Sequence, residues 1–335
     1  MAPGGVGQMG VTMLTKRRIA GLAAAIFGLS LNYGAAAQSQ PPLNVVTTTG
    51  MIADLARTIG AERVRVTQLM SEGVDPHLYK ATRSDIAAML GADIVFYNGL
   101  LLEGKLSDAL VRIATSGKPV FAVTELMDES ALLQLDGADG HFDPHVWMDP
   151  RAWGRAVEVV RDKLAQRDPS GASLYRSNAA RLQSDINALD AYAERVLSSV
   201  PQDRRVLVTA HDAFNYFGRR YGFEVLGIQG VSTESEAGLR QIENLVGVLV
   251  DRKIPAVFVE STISDRSVRA LIAGARAKGR DVTVGGELFS DAMGKPGTYE
   301  GTYVGMIDHN VTTIARALGA DAPLKGLNGR LARKD

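Results

Sequence analysis

The sequence contains no cysteine. Disulfide staples and thiolate metal ligands are therefore excluded, and no cysteine stands at a cleavage point to receive a lipid. Any metal site in this chain has to be built from imidazole and carboxylate. An excess of one charge is lacking too, because Lys plus Arg and Asp plus Glu each number 37. Nucleic-acid binding needs a basic surface, and none is expected here. With 335 residues, 46% hydrophobic and 22% charged, the chain has the profile of a soluble globular protein with room for two domains. Long hydrophobic runs are scarce. The stretch Ile19 to Leu31 is too short for a transmembrane helix, which needs about 20 residues.

That stretch follows Lys16-Arg17-Arg18 and leads to Ala35-Ala36-Ala37. A basic start, a short apolar run and an A-x-A site read as a secretory signal peptide over residues 1–37, cleaved after Ala37. Met13 offers an alternative start to Met1. The expectation is a periplasmic protein that carries neither a lipid nor any other membrane anchor once the signal is removed.

From Leu43 onward, short β-rich runs alternate with helical patterns, which predicts an α/β fold with mainly parallel sheets. The expected strands of the first half are Asn44–Thr49, Arg63–Met70, Ile94–Tyr97 and Val120–Val123. Helices are expected over Met51–Ile59 and from Thr82, with Asp85 completing a capping box, through Leu90. The second half repeats the style, with strands at Val206–Thr209, Val225–Ile228, Val257–Val259 and Val282–Val284. Its helices are expected at Ala237–Asp251 and Ser267–Lys278. Between the halves, residues 172–200 lack Gly and Pro and carry apolar residues at three- and four-residue steps. That pattern predicts one long amphipathic helix ended by Pro201. The expected organisation is thus two Rossmann-like lobes, 43–171 and 201–330, bridged by a stiff helix at 172–200.

Histidine is scarce, with five in the chain: His77, His141, His145, His211 and His309. His77 and His145 each sit in an Asp-Pro-His sequence, where proline stiffens the backbone that presents them. His211 follows an expected strand within two residues, and Asp291 follows another by a few more. In open α/β sheets ligands bind beyond the carboxyl ends of the strands, so two candidates from each half can meet in one cleft. Three imidazoles and one carboxylate suit zinc or manganese, with ferrous iron a further candidate. Calcium and magnesium want oxygen throughout and are poorly served. His141 and His309 read as structural, and Trp147 as packing beside the site. Glu260, at a strand end, is a candidate to accept a proton from a ligating imidazole. No Walker or GxGxxG pattern follows a strand, so no nucleotide cofactor is expected.

The segments VDPHLYKAT, DPHVWMD, TAHDAFNYFGRRYG and GELFSDAMG resemble the TroA-like, metal-binding family of ABC-transporter solute-binding proteins. The resemblance runs from about Leu43 to about Leu318 and implies two α/β lobes bridged by one long helix, with metal held between them. Matched position by position, it places the ligands at His77, His145, His211 and Asp291. The third position varies within the family, and His211 matches the zinc/manganese type. Many zinc members carry a long His- and acid-rich loop before the second ligand. Here the stretch 128–142 is short and holds only His141, which argues against a zinc-only assignment.

The resemblance further implies a monomeric carrier that hands its metal to a membrane permease, with the cytoplasmic ATPase acting indirectly. It implies no catalysis. A zinc hydrolase is the rival reading, but four protein ligands would close the open position that catalytic zinc requires, and no HExxH stretch occurs. A siderophore- or haem-binding protein of similar scaffold is the other rival, and an additional adhesin role is compatible with the sequence.

Overall fold

The computed structural model describes residues 41–135 and 140–332, together with Met1. The expected signal peptide falls on residues that, Met1 apart, lie outside the described ones. In the first half, β1 (Leu43–Thr47), α1 (Gly50–Gly60), β2 (Val64–Gln68), α2 (Arg83–Gly91), β3 (Ile94–Tyr97), α3 (Ser107–Thr115) and β4 (Val120–Ala122) follow in order. The four strands form one parallel sheet, ordered β2-β1-β3-β4. Helix α2 starts where its sequence signal lies. Thr82 Oγ1 accepts from the Asp85 N–H, and the Asp85 carboxylate accepts from the Thr82 N–H.

Two helices then pack side by side, α4 (Pro150–Arg167) and α5 (Ala172–Leu197). Helix α4 is not among the expected elements, although its start signal is plain. Asp149 accepts from the Arg151 and Ala152 N–H groups, and Pro150 fills the first helical position. Helix α5 is the expected long helix. Its regular turns stop at Leu197, and residues 198–200 unwind ahead of Pro201, whose ring disfavours helical geometry just before it.

The second half contains β5 (Val206–Thr209), α6 (Asn215–Tyr221), β6 (Glu224–Gly227), α7 (Leu239–Asp251), β7 (Ala256–Glu260), α8 (Arg266–Ala277), β8 (Thr283–Leu288) and α9 (Tyr303–Ala317). Strands β5 and β6 pair in parallel, as do β7 and β8. Strand β8 runs further than Val284 because it stays paired with β7 as far as Leu288, with a bulge that leaves Gly285 without a partner. Gly222 closes α6 at φ 74°, and its N–H reaches the Gly218 carbonyl.

Helix α5 holds the halves around one core. Its buried face, which includes Tyr175, Leu182, Ile186, Leu189, Tyr192 and Val196, packs against α4, α1 and α9. Each such side chain taken from water contributes ~1.5–3 kcal/mol. Ion pairs fix the helix at two levels. Ahead of it, Asp168 accepts from Arg63 at 2.6 and 2.8 Å and from Tyr175 at 2.6 Å. Further along, past its middle, Asp190 accepts from Arg151 of α4 and from Arg220 of α6, each at 2.8 Å. These elements belong to one compact unit, Pro41–Asp335. No described helix is long and apolar enough to cross a membrane.

Candidate metal centre

All four expected residues meet. His77 lies in the loop after β2, and His145 begins the turn that leads to α4. His211 stands two residues beyond β5, and Asp291 three residues beyond β8. Each therefore sits at or near the carboxyl end of a strand or on a loop leaving that edge. Their side chains are buried, between 0 and 3% exposed, and one ligand atom from each lies within 4.8 Å of all the others. Among the described residues this is the one such group of histidines and acids.

The spacing is that of a coordination cage. His77 Nε2 is 3.4 Å from His145 Nε2 and 3.6 Å from Asp291 Oδ2. His145 Nε2 is 3.4 Å from Asp291 Oδ1, and His211 Nε2 is 3.2 Å from Asp291 Oδ2. Four donors placed tetrahedrally at ~2.0–2.1 Å from a central ion are about 3.3 Å apart. The contacts to Asp291 are not hydrogen bonds. His211 Nε2 and both Asp291 oxygens are buried and have no hydrogen-bond partner. An isolated buried carboxylate is costly, by several kcal/mol, unless a cation compensates it.

The site's electrostatics answer to that demand. Burial disfavours charge on His145, but Asp143 and then Asp291 outweigh it and push the imidazole up to about 9. His211 is likewise buried, and Glu260 and Asp291 raise it well above the usual histidine range. Asp291 is buried, yet His211 and His145 hold it well below the usual carboxylate range. His77 behaves differently. Burial, helped by the neighbouring imidazoles, pushes it down to about 4 despite the pull of Asp291.

Carboxylates fix two of the rings. Asp143 Oδ1 accepts from the His145 N–H at 2.9 Å and lies 2.7 Å from its Nδ1. Glu260 accepts from the His211 N–H at 2.9 Å and lies 2.5 Å from its Nδ1. Glu260 thus occupies the position anticipated for it. Nδ1–H pointing at carboxylate leaves Nε2 as the lone-pair donor facing the cage. Trp147 packs edge-on against His145 and donates from Nε1 to the Ser290 carbonyl at 2.8 Å, joining the His145 and Asp291 segments. Behind the site, Glu103 accepts from Thr48 and from the Asn98 and Gly99 N–H groups, and Asn98 donates to the Pro144 carbonyl. Neither Asp143 nor Glu103 was anticipated in a supporting role. The Asp143 signal was present in the Asp-Pro-His tripeptide itself.

His141 is exposed and stands outside the cluster. His309 lies on α9, where Nε2 meets the Glu287 carbonyl at 2.9 Å and the ring packs at a tilt against Phe289. Neither joins the site.

Strand ends in parallel sheets converging on a buried cage of three imidazoles and one carboxylate define a protein that sequesters a transition-metal ion. The comparisons place it more narrowly. The chain belongs to the ZnuA family, described as the periplasmic component A of a zinc-uptake complex, whose profile matches residues 45–317. It is 47% identical over 276 residues to the manganese-binding lipoprotein MntA of Bacillus subtilis, covering 82% of this chain and 90% of that one. It is also 47% identical over 283 residues to the zinc-binding protein TroA of Treponema pallidum, covering 84% and 91%. The solved periplasmic zinc-binding protein TroA from Treponema pallidum superposes with a TM-score of 0.80 at 46% identity, covering 83% of this chain and 99% of that one. The expected fold, family and role as the metal-binding component of an ABC importer stand on these likenesses. Components of this kind work with a permease and an ATPase.

The expected location needs correction. A protein free of any lipid anchor was inferred from the missing cysteine, yet MntA and streptococcal relatives are named lipoproteins. A lipid chain tethers such proteins to a membrane surface, so the anchor-free expectation is withdrawn.

Proposed function

We propose that this chain captures one divalent transition-metal ion, zinc or manganese, as cargo, with His77, His145, His211 and Asp291 as its ligands, and delivers it to the permease of an ABC importer. The carrying observation is the convergence of those four side chains at cage spacing with the Asp291 oxygens free of hydrogen bonds. Zinc fits as a four-coordinate ion. Manganese, which favours more oxygen, fits with Asp291 bidentate. Relatives at equal identity are named for each metal.

In this reading residues 43–171 and 201–330 act as two lobes, and the connecting segment 172–200, helical as far as Leu197, limits their relative motion to small tilts. The protein works as a monomer, binds no nucleic acid and turns nothing over. Four protein donors leave a tetrahedral ion no open position for an activated water.

The test is metal uptake by the purified, metal-depleted chain, followed by calorimetry and elemental analysis. One zinc or manganese per chain is expected. Replacing His211→Ala should abolish tight uptake, and replacing His309→Ala should leave it intact. Equal losses in the two variants, or metal-dependent hydrolysis of ester or peptide substrates, would overturn the proposal.

A further inference from the structure

The three histidines are secured in two different ways. Each has its backbone N–H on a carboxylate oxygen at 2.9 Å: His77 on Asp75, His145 on Asp143, His211 on Glu260. For His145 and His211 the same carboxylate also reaches ring Nδ1. Asp75 differs, because its second oxygen accepts instead from Thr233 Oγ1, at 2.6 Å.

Thr233 belongs to the other half of the chain, in the connection between β6 and α7. Of residues 230–238 it alone is buried. The following residue, Glu234, pairs with Lys105 at 3.2 Å, a second grip on the first half. The root of the segment is tied to the His211 region, where the Asp212 N–H donates to the Gly230 carbonyl and the Gln229 N–H to the Ala210 carbonyl. A strap therefore runs from beside His211 to the loop that carries His77. A cavity of about 350 Å³, lined in part by Asp75, Leu78, Thr233, Glu236 and Arg266, borders the contact. With open space beside it, the strap is held by its polar contacts more than by packing.

We propose that the Thr233–Asp75 hydrogen bond is a latch that sets how long the metal stays bound, with His77 the ligand that detaches first when the strap lifts. This rests on the reading that His77 ligates the metal. Thr233 is a positioning residue, acting on the ion only through Asp75 and the His77 peptide. Lifting the strap removes the second partner of Asp75, and the His77 loop gains freedom. His145 and His211 remain clamped by carboxylates on both backbone and ring. A permease surface that competes for the strap would open the cage from one side without disturbing the other two imidazoles.

The decisive measurement is the rate at which zinc- or manganese-loaded protein surrenders its ion to excess EDTA. Thr233→Val keeps the side-chain shape and loses the hydroxyl. It should release metal about ten-fold faster, as the loss of ~1.4 kcal/mol implies, with the association rate unchanged. Thr233→Ser should restore a rate near that of the wild type, which a purely packing role for the methyl group would not produce. Lys105→Ala, at a partly exposed position, loosens the strap's other grip and should accelerate release to a smaller degree. It serves as the second probe if Thr233→Val fails to fold. Unchanged release in the folded Thr233→Val protein, or no recovery in Thr233→Ser, overturns the latch and leaves the ligand assignment standing. A wild-type chain that takes up neither zinc nor manganese overturns both.

Discussion

The tripeptide Asp-Pro-His occurs at residues 75–77 and again at 143–145, and the two copies part company beyond their backbones. In both, the aspartate accepts the histidine N–H at 2.9 Å, a local trap that the sequence fixes by spacing and proline stiffness. In the second copy Asp143 turns onto its own histidine ring, and Asn215 and Tyr216 from the other half of the chain close around it. In the first copy the free oxygen of Asp75 faces Thr233. One copy makes a fixed ligand, and the other a ligand that depends on the strap. Identical local sequence supplies identical backbone geometry, and distant neighbours decide what the leftover hydrogen-bonding capacity does.

The largest expected effect separates the two aspartates. Asp143→Ala removes the partner of both the N–H and Nδ1 of His145 and should weaken metal affinity by about a hundred-fold, the upper range for such supporting carboxylates. Asp75→Ala should cost only roughly ten-fold, near the lower end of that range. Competition titrations against a chelator of known affinity measure both, and equal losses would erase the contrast.

Acidity provides the next contrast. Without metal, the His145 imidazole stays protonated up to about 9, and the incoming cation has to expel that proton. His211, buried but held well above its ordinary range by Glu260 and Asp291, keeps a second proton that the cation must displace. Affinity should therefore fall as pH drops below 9, well above the ordinary histidine range near 6.5, by up to about ten-fold per pH unit for each of the two protons expelled. His77, pushed down to about 4, adds nothing to this slope at neutral pH. The metal-free protein should show the opposite trend. A histidine whose folded value is raised above its unfolded one stabilises the fold fully below ~6.5 and loses that contribution as pH rises through about 9. Melting temperatures of metal-free and loaded protein, followed from pH 6 to 9.5, should diverge. Parallel curves would mean that neither His145 nor His211 carries an extra proton.

How much of this was legible follows the same division between local and distant. Strands β3 and β5 were readable to the residue because short apolar runs bounded by turns are local signals. The β8 end was misplaced because Gly285 and Gly286 look like a turn, while pairing with β7 carries the strand across them. Helix α4 carries a local start signal, Asp149-Pro150, set directly behind the turn of His145. His77 and His145 announce themselves by their tripeptides. His211 and Asp291 are isolated residues whose role rests on the resemblance of the segments around them, and on convergence that only folding shows. Thr233 could not have been found. Its partner lies 158 residues away, and its surroundings read as an ordinary polar loop.

Backbone exchange offers a smaller test of the contrast. In metal-free protein the His145 amide should exchange more slowly with deuterium than the His77 amide. The first sits 0% exposed beneath Trp147, Asn215 and Tyr216, and the second opens with the strap. Thr233→Val should speed exchange at His77 and leave His145 unchanged, as read by mass spectrometry of peptides spanning each loop.

The smallest expected effect lies at Tyr216, whose hydroxyl donates to the Asp143 carbonyl at 2.8 Å and accepts from the Leu133 N–H at 2.9 Å. Phenylalanine there keeps the buried ring and removes both bonds, leaving a buried carbonyl and amide short of a partner. The cost to stability should be ~1–3 kcal/mol, read as a lower melting temperature. Metal affinity should change by less than about three-fold, because the Asp143 carboxylate still grips His145 through Oδ1. If Tyr216→Phe weakens metal binding as much as Asp143→Ala does, the fixed ligand owes its rigidity to the hydroxyl behind it, and the second copy of the tripeptide depends on a distant support as much as the first.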